Sequence, residues 1–210
     1  MEQNYVISIG RSIGAGGLST AKALSEELGI KMYDKELITE VARRSGLSPD
    51  IFEKKDERAS RSKMTSLFGF RSLLQGNGSI TTDSIMNEES LFNIQSQVIR
   101  DLAENESCII VGRCADYILR DNPRCASFFI NADPAIRVKR LMERGMDEEE
   151  ARRRISQGDK KRAEYYNYYT FKRWGDSASY DLCIDSGKVG GDIPTVRNII
   201  LDYLKIRHIL

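Results

Sequence analysis

Short, continuous apolar runs alternate along this chain with stretches whose apolar positions recur every three or four residues. Tyr5-Val-Ile-Ser-Ile9 predicts a first buried strand. A glycine-rich stretch, 10–17, separates it from Leu18, Ala21, Leu24 and Leu28, whose spacing predicts a helix that Gly29 ends. Residues 30–33 predict a second strand, and Asp34 the N-cap of a helix carrying Leu37, Ile38, Val41 and Ala42. Ser48-Pro49 marks another helix start, with proline at the first helical position. Between 59 and 84 the periodicity fails. That stretch is rich in Ser, Thr and Gly with a few apolar residues such as Leu67, Phe68 and Phe70, the composition of a flexible functional insert. A helix resumes near Glu88, with Leu91, Ile94, Val98 and Leu102 on one side. Runs at 108–111, 127–130 and 182–184 predict three more strands. Asp133-Pro134 and the capping-box-like Asp147-x-x-Glu150 open two further helices, and a last one is expected over 194–209.

No internal repeat is evident. Strands separated by helices imply parallel pairing through right-handed crossovers. The expected fold is therefore α/β: a doubly wound, parallel five-stranded sheet with helices on both faces, in one large domain over 1–210. Ligands of such sheets sit beyond the carboxyl ends of the strands. The loops beginning at Gly10, Tyr33, Gly112, Asn131 and Asp185 are thus where function is to be sought.

Composition narrows the chemistry. With 32 Lys plus Arg against 31 Asp plus Glu, the net charge of +1 argues against binding nucleic acid through bulk charge. His208 is the sole histidine, which argues against a Ser-His-Asp hydrolase or a His-rich zinc enzyme. Cys108, Cys114, Cys125 and Cys183 form no C-x-x-C pair; Cys108, Cys125 and Cys183 lie in or beside predicted strands, as buried reduced thiols do. No apolar run is long enough to cross a bilayer and the first residues carry no basic, apolar leader, so a cytoplasmic protein is expected. The neutral total hides a local excess: residues 137–173 hold twelve basic and seven acidic side chains. Part of that excess is a solvated helix face, where Glu148 to Glu150 can pair with Arg152 to Arg154 at i,i+4.

The stretch Ile9-Gly-Arg-Ser-Ile-Gly-Ala-Gly-Gly-Leu-Ser-Thr20 joins a predicted strand to a predicted helix. Gly14, Gly16 and Gly17 allow positive φ and place no Cβ in the way of a phosphate, which backbone N–H groups and the helix start would surround. A plain tight turn is the competing reading. Against the Walker A pattern G-x-x-x-x-G-K-[ST], Gly17 stands where the lysine belongs and Leu18 where the Ser or Thr does. Arg11 is then the nearest cation and Lys22 points from the following helix. Ser19 is the candidate magnesium-side hydroxyl, with Thr20 just beyond.

The chain resembles the cytidylate kinase-like family of P-loop nucleoside monophosphate kinases. The segments that carry the resemblance are Ser-Ile-Gly-Arg with Gly-Ala-Gly-Gly (8–17), Met-Tyr-Asp-Lys-Glu-Leu-Ile (32–38) and Val-Gly-Arg-Cys-Ala-Asp-Tyr-Ile-Leu (111–119). Phe-Ile-Asn-Ala-Asp-Pro-Ala-Ile-Arg-Val-Lys-Arg (129–140), Asp-Lys-Lys-Arg-Ala-Glu-Tyr-Tyr (159–166) and Trp-Gly-Asp with Tyr-Asp-Leu-Cys-Ile-Asp-Ser (174–186) follow in order. The resemblance implies phosphoryl transfer from ATP, with Mg²⁺, to a nucleoside monophosphate, CMP or dCMP favoured. It implies that Gly14, Ala15, Gly16, Gly17, Leu18 and Ser19 hold the ATP phosphates, Ser19 also meeting the metal. Arg113, Asp159 and Arg162 would hold the acceptor, and Asp34 would lie near its ribose. Arg11, Arg154 and Arg162 would supply catalytic charge, Arg154 lying within one residue of a lid arginine. Residues 59–84 would form the acceptor-side insert and about 144–175 the lid.

The implied partners are small-molecule nucleotides, without nucleic acid or membrane; oligomeric state stays open. The chain departs from the family in lacking the loop lysine, in Cys114 after Gly-Arg, and in a longer aromatic stretch from Tyr165 to Trp174. Two alternatives therefore stand: a kinase of another small molecule, or a nucleotide-binding regulator that lost catalysis with its lysine. An RNA-binding module is the weakest reading, since no RNA motif accompanies the charge. The aromatics Tyr165, Tyr166, Tyr168, Tyr169, Phe171, Trp174 and Tyr180 either stack on a base or pack the lid onto the domain. Asp185 either orients a loop near adenine or serves a turn.

Overall fold

Cys108-Ile-Ile-Val111 is buried at every position, as a strand covered on both faces must be. The computed structural model of the chain describes residues 4–44 and 82–210. Its strands are β1 (Val6–Arg11), β2 (Lys31–Tyr33), β3 (Cys108–Val111), β4 (Cys125–Asn131) and β5 (Leu182–Asp185). All pair in parallel, in the order β2-β3-β1-β4-β5. Among the described residues the helices are α1 (Gly17–Leu28), α2 (Lys35–Arg44), α3 (Thr82–Asn105), α4 (Ala115–Ile118), α5 (Pro134–Met142), α6 (Glu148–Thr170) and α7 (Ile193–Ile206). The expected helix start at Ser48-Pro49, and residues 59–81 of the expected insert, lie outside the described residues.

The strand period of two sorts side chains between two layers. Ile7, Ile9, Ile109, Val111, Phe128 and Ile130 meet Ala21 and Leu24 of α1 and Val196, Ile200 and Leu204 of α7 in one core. Each such fully buried large side chain contributes about 1.5–3 kcal/mol. On the opposite layer Phe129 packs edge-on against Trp174, with centroids 5.1 Å apart, and against Tyr180 at 5.0 Å. Gly10 lies beneath this pair, where a Cβ would stand 2.8 Å from the Phe129 ring.

Side-chain capping places three of the helix starts. Asp133 accepts from the Ala135 N–H at 2.8 Å, with Pro134 opening α5. Asp147 accepts from the Glu150 N–H at 2.7 Å. Asp192 accepts from the Thr195 N–H at 3.0 Å, one residue before α7. Gly29, at φ 64°, closes α1 in the left-handed conformation.

Several expectations change; β4, for one, begins at Cys125 rather than 127, where Val6 of β1 already pairs with it. β1 continues past Ile9 to Arg11, because its pairing with β4 carries on to Arg11 opposite Ile130. α3 begins at Thr82 rather than near Glu88, its polar first turns carrying no apolar period. α7 ends at Ile206, not 209: His208 turns left-handed at φ 53°, and Arg124 donates to the carbonyls of His208 (3.2 Å) and Ile209 (2.9 Å). Cys183 is exposed, because its position on the edge strand β5 points away from the core that Ile184 enters. Cys108 is buried as expected, and burial pushes its thiol up to about 12.

The chain divides into two compact units, residues 1–35 with 99–210, and residues 36–98. Within the second, the buried Gln95 donates from Nε2 to Thr39 Oγ1 at 3.3 Å, joining α3 to α2. The five-stranded sheet and its loops belong to the first. Among the described residues no helix is long and apolar enough to cross a membrane.

Candidate functional site

The turn from β1 into α1 is built so that its carbonyls face outward. Arg137 Nη1 donates to Ile13 O at 3.4 Å, Arg140 Nη1 to Gly14 O at 3.3 Å, and Ser186 Oγ to Ala15 O at 2.8 Å. Gly14 and Gly16 hold φ 76° and 89°, values that L side chains rarely adopt. At Gly14 a Cβ would also stand 2.8 Å from Arg137 O. Gly16 is the N-cap of α1 and brings no capping side chain. The N–H groups of Gly17, Leu18 and Ser19 open the helix and have no intrahelical acceptor; the first bond is Thr20 N–H to Gly16 O at 2.9 Å. With its carbonyls engaged elsewhere, this concave run of amides at a helix N-terminus suits an anion.

Two further elements clasp the loop. From α5, Arg140 also reaches Ser186 Oγ (2.9 Å) and Gly191 O (2.7 Å), tying the loop to the turn after β5. From α6, Asp159 Oδ1 accepts from the Ile13 N–H at 2.8 Å while Oδ2 is ion-paired with Arg137. Both side chains of that pair are largely buried, 16% and 12% exposed, so the pair is little screened by solvent. Arg162 donates to Arg11 O at 3.1 Å and lies 3.9 Å from Asp159 Oδ1. Burial lowers the pKa of Arg162, Asp159 opposes that shift, and the guanidinium stays charged far above neutral pH. Gly158 allows this approach, since a Cβ there would fall 2.0 Å from Ile13 Cδ1.

The end of β3 forms the facing wall. Gly112, Arg113 and Cys114 are successively left-handed, at φ 80°, 58° and 57°. Two of them carry side chains, so the backbone is strained where it presents Arg113. The Arg113 guanidinium lies over the Tyr165 ring of α6, 4.2 Å from its centroid. Just beyond, Tyr166 donates its hydroxyl to Asp116 Oδ2 at 2.7 Å and stacks on Tyr180 at 6.1 Å. Burial raises the Asp116 carboxyl, the Tyr166 bond opposing it, and burial pushes the Cys114 thiol up to about 12. Tyr166, Trp174 and Tyr180 thus pack α6 and the segment after it onto the sheet, one of the two expectations for these aromatics.

The residues singled out in the sequence are placed as follows. Arg11, the loop 14–19, Asp159, Arg162 and Arg113 come together beyond the carboxyl ends of β1 and β3. Asp34 follows β2 on the same edge. Asp159, which the resemblance assigned to the acceptor, uses both oxygens on the loop and Arg137. Arg154 is exposed on α6, eight residues from Arg162 and so about 12 Å along the axis. Lys22 points away, its Nζ 3.9 Å from Glu26. Asp185 serves a turn, its Oδ1 accepting from the N–H groups of Gly187 (3.0 Å) and Lys188 (3.2 Å). Sequence reasoning missed Arg137, Arg140 and Ser186. The two arginines did carry a signal: three residues apart on one helix, they share a face.

Among the described residues no group of three or more His, Cys, Asp or Glu stands together as a metal site. Ser19, half-buried on the first turn of α1, is a hard oxygen ligand of the kind Mg²⁺ accepts alongside substrate phosphates.

Comparison with known proteins shows the family of the chain. The model of a family described as "Cytidylate kinase-like family" matches residues 6–188. A cytidylate kinase of Methanosarcina barkeri (strain Fusaro / DSM 804) is 26% identical over 196 residues, covering 92% of this chain and 90% of that protein. A crystal structure of an uncharacterized protein from Eubacterium ventriosum ATCC 27560 superposes with a TM-score of 0.71 at 34% identity, covering 96% of this chain and 99% of that one.

Proposed function

The chain belongs to the cytidylate kinase-like family, and we propose that it transfers the γ-phosphoryl group of ATP to a nucleoside monophosphate, CMP or dCMP favoured. The observation that carries this reading is the β1–α1 loop, with its carbonyls bound outward, its amides at an uncapped helix start, and Arg11, Arg113 and Arg162 around it. The reading treats the chain as one P-loop kinase domain, with 59–84 on the acceptor side and about 144–175 as the lid.

The step is a displacement. An oxygen of the acceptor's phosphate attacks the γ-phosphorus, the bond to the β,γ-bridging oxygen breaks, and ADP departs with the electron pair. Net charge and protons balance when the acceptor enters as the dianion, so no general base is needed. That suits a chain whose single histidine is His208. Mg²⁺, when bound, offsets charge on the donor phosphates, and Ser19 would hold it. Backbone N–H groups of the loop 14–19 hold the donor phosphates and fix their direction, that of Ala15 going instead to Ser12 O at 3.3 Å. Arg113, propped against Tyr165, holds the acceptor phosphate, with Asp34 beside its ribose. Arg162 binds on the same side, while Asp159 acts through the loop it anchors. Arg11 and, on lid closure, Arg154 meet charge that develops on the transferring group.

Incubation of the protein with ATP, Mg²⁺ and a panel of nucleoside monophosphates should form ADP fastest with CMP or dCMP. Tight ATP binding without turnover on any acceptor would overturn the reading in favour of a nucleotide-binding regulator.

A further inference from the structure

The loop brings residues 11 and 17 into contact. A Cβ at Gly17 would stand 2.7 Å from Arg11 Cβ, 3.3 Å from its Cδ and 3.4 Å from its Cγ. Two side chains cannot share that space, so while one position carries a long side chain the other must be glycine. Further along, Arg11 Nη1 lies 3.0 Å from the place a Cβ would take on Gly112. The arginine thus runs from the end of β1, across Gly17 at the start of α1, to the end of β3 beside Arg113. Its backbone is mounted firmly: Arg11 is in register with Ile130 of β4, and Arg162 donates to its carbonyl at 3.1 Å.

The Walker A pattern G-x-x-x-x-G-K, aligned on Gly16, sets its first glycine on Arg11 and its lysine on Gly17. Glycine and cation have changed places. We infer that Arg11 is the cation of the phosphate loop, entering from the strand side through the space a residue-17 side chain would need, and that Arg11 and Gly17 work as an exchanged pair. This rests on the phosphotransfer reading and deepens it. The guanidinium lies between the loop that takes the donor and Arg113 on the acceptor side, where a planar cation can bridge phosphate oxygens bidentately. Gly112 is glycine on the same account: its position passes the guanidinium as well as turning the backbone.

The test uses three variants of the full chain, with ATP affinity measured by calorimetry beside turnover. Arg11→Met keeps the stem over Gly17 and removes only the charge. It should unfold at nearly the wild-type temperature yet lose about tenfold or more in ATP affinity and about 100-fold in turnover. Gly17→Lys alone should be impaired too, because its side chain meets the Arg11 stem. Arg11→Gly combined with Gly17→Lys restores the ordinary order of the pattern and should recover at least about tenfold of the affinity that Arg11→Met loses. Wild-type ATP affinity and turnover in Arg11→Met would overturn the inference while leaving the phosphotransfer reading intact. A double variant that folds but binds ATP no better than Arg11→Met would overturn the exchange. If the wild-type chain neither binds ATP nor transfers phosphate, the phosphotransfer reading itself fails.

Discussion

Tyr166 and Asp116 show how one hydrogen bond can be felt at a distance from itself. The carboxyl is buried two residues after the strained Cys114, and the Tyr166 hydroxyl is the donor that offsets its burial. Its pKa is raised in the folded state, so the stability linked to it is fully present below the ordinary carboxyl range. That stability is lost as pH rises through the raised value. Tyr166→Phe removes the donor and drives the carboxyl further up. The variant should lose about 1–3 kcal/mol near neutral pH. The loss should shrink as pH falls and Asp116 takes up its proton; urea unfolding at several pH values reads it. At this scale the sequence was informative about residue type and much less so about partner. Arg113 announces itself by following Gly112, but that Tyr165 supports it depends on a helix more than fifty positions later in the chain.

At the scale of elements, α6 combines three tasks along one axis. Its first turns are a solvated face, where Arg152 pairs with Glu148 at 2.6 Å and Arg153 with Glu149 at 3.6 Å. Its middle clasps the phosphate loop, and its last turns anchor in the aromatic layer. Gly158→Ala separates the middle task from the rest. Alanine is the better helix former by about 1 kcal/mol, whereas the new methyl meets Ile13 Cδ1 at 2.0 Å and costs about 1–3 kcal/mol in displaced packing. The helix gain offsets part of that cost, leaving a net loss of about 0–2 kcal/mol. The displacement falls on the loop, so ATP affinity should drop several-fold while the unfolding temperature falls by about 8 °C at most. The strands were legible because parallel, doubly covered strands are continuous apolar runs. The loop was legible as glycine spacing. Its clasp was not: Arg137 and Arg140 look like ordinary basic residues of a helix, and Asp159, singled out by the resemblance for the acceptor, gives no sign in the sequence that it holds the loop. What defines them is contact across more than a hundred residues, to which local periodicity is blind.

At the scale of the whole molecule, Asp181 joins the sheet to the far end of α7. Its Oδ2 accepts from both the N–H and the hydroxyl of Ser127 at 2.7 Å, and Oδ1 from Arg207 at 3.0 Å. Burial alone would raise this carboxyl; the bonds to Ser127 and Arg207 outweigh it and hold the pKa below its ordinary value. A lowered folded-state value means stabilisation present above the unfolded carboxyl range and lost as pH falls through the lowered value. Asp181→Ala should therefore cost about 0.5–1.5 kcal/mol at neutral pH, solvent screening discounting bonds made by an exposed residue. The gap from the wild type should close in acid, as followed by denaturant midpoints at successively lower pH.

The outward-facing carbonyls of the phosphate loop have a consequence in time. Ala15 is held by Ser186, 171 positions later, and Gly14 by Arg140, 126 positions later. Val6 of β1 waits likewise for Cys108 and Cys125. During synthesis the first strand and its loop leave the ribosome with none of these partners yet made. The Val-Ile-Ser-Ile run spends that interval as a sticky, unpaired segment, open to wrong pairings. A nascent chain stopped before Ser186 can have its glycines in order and still lack the loop's final shape.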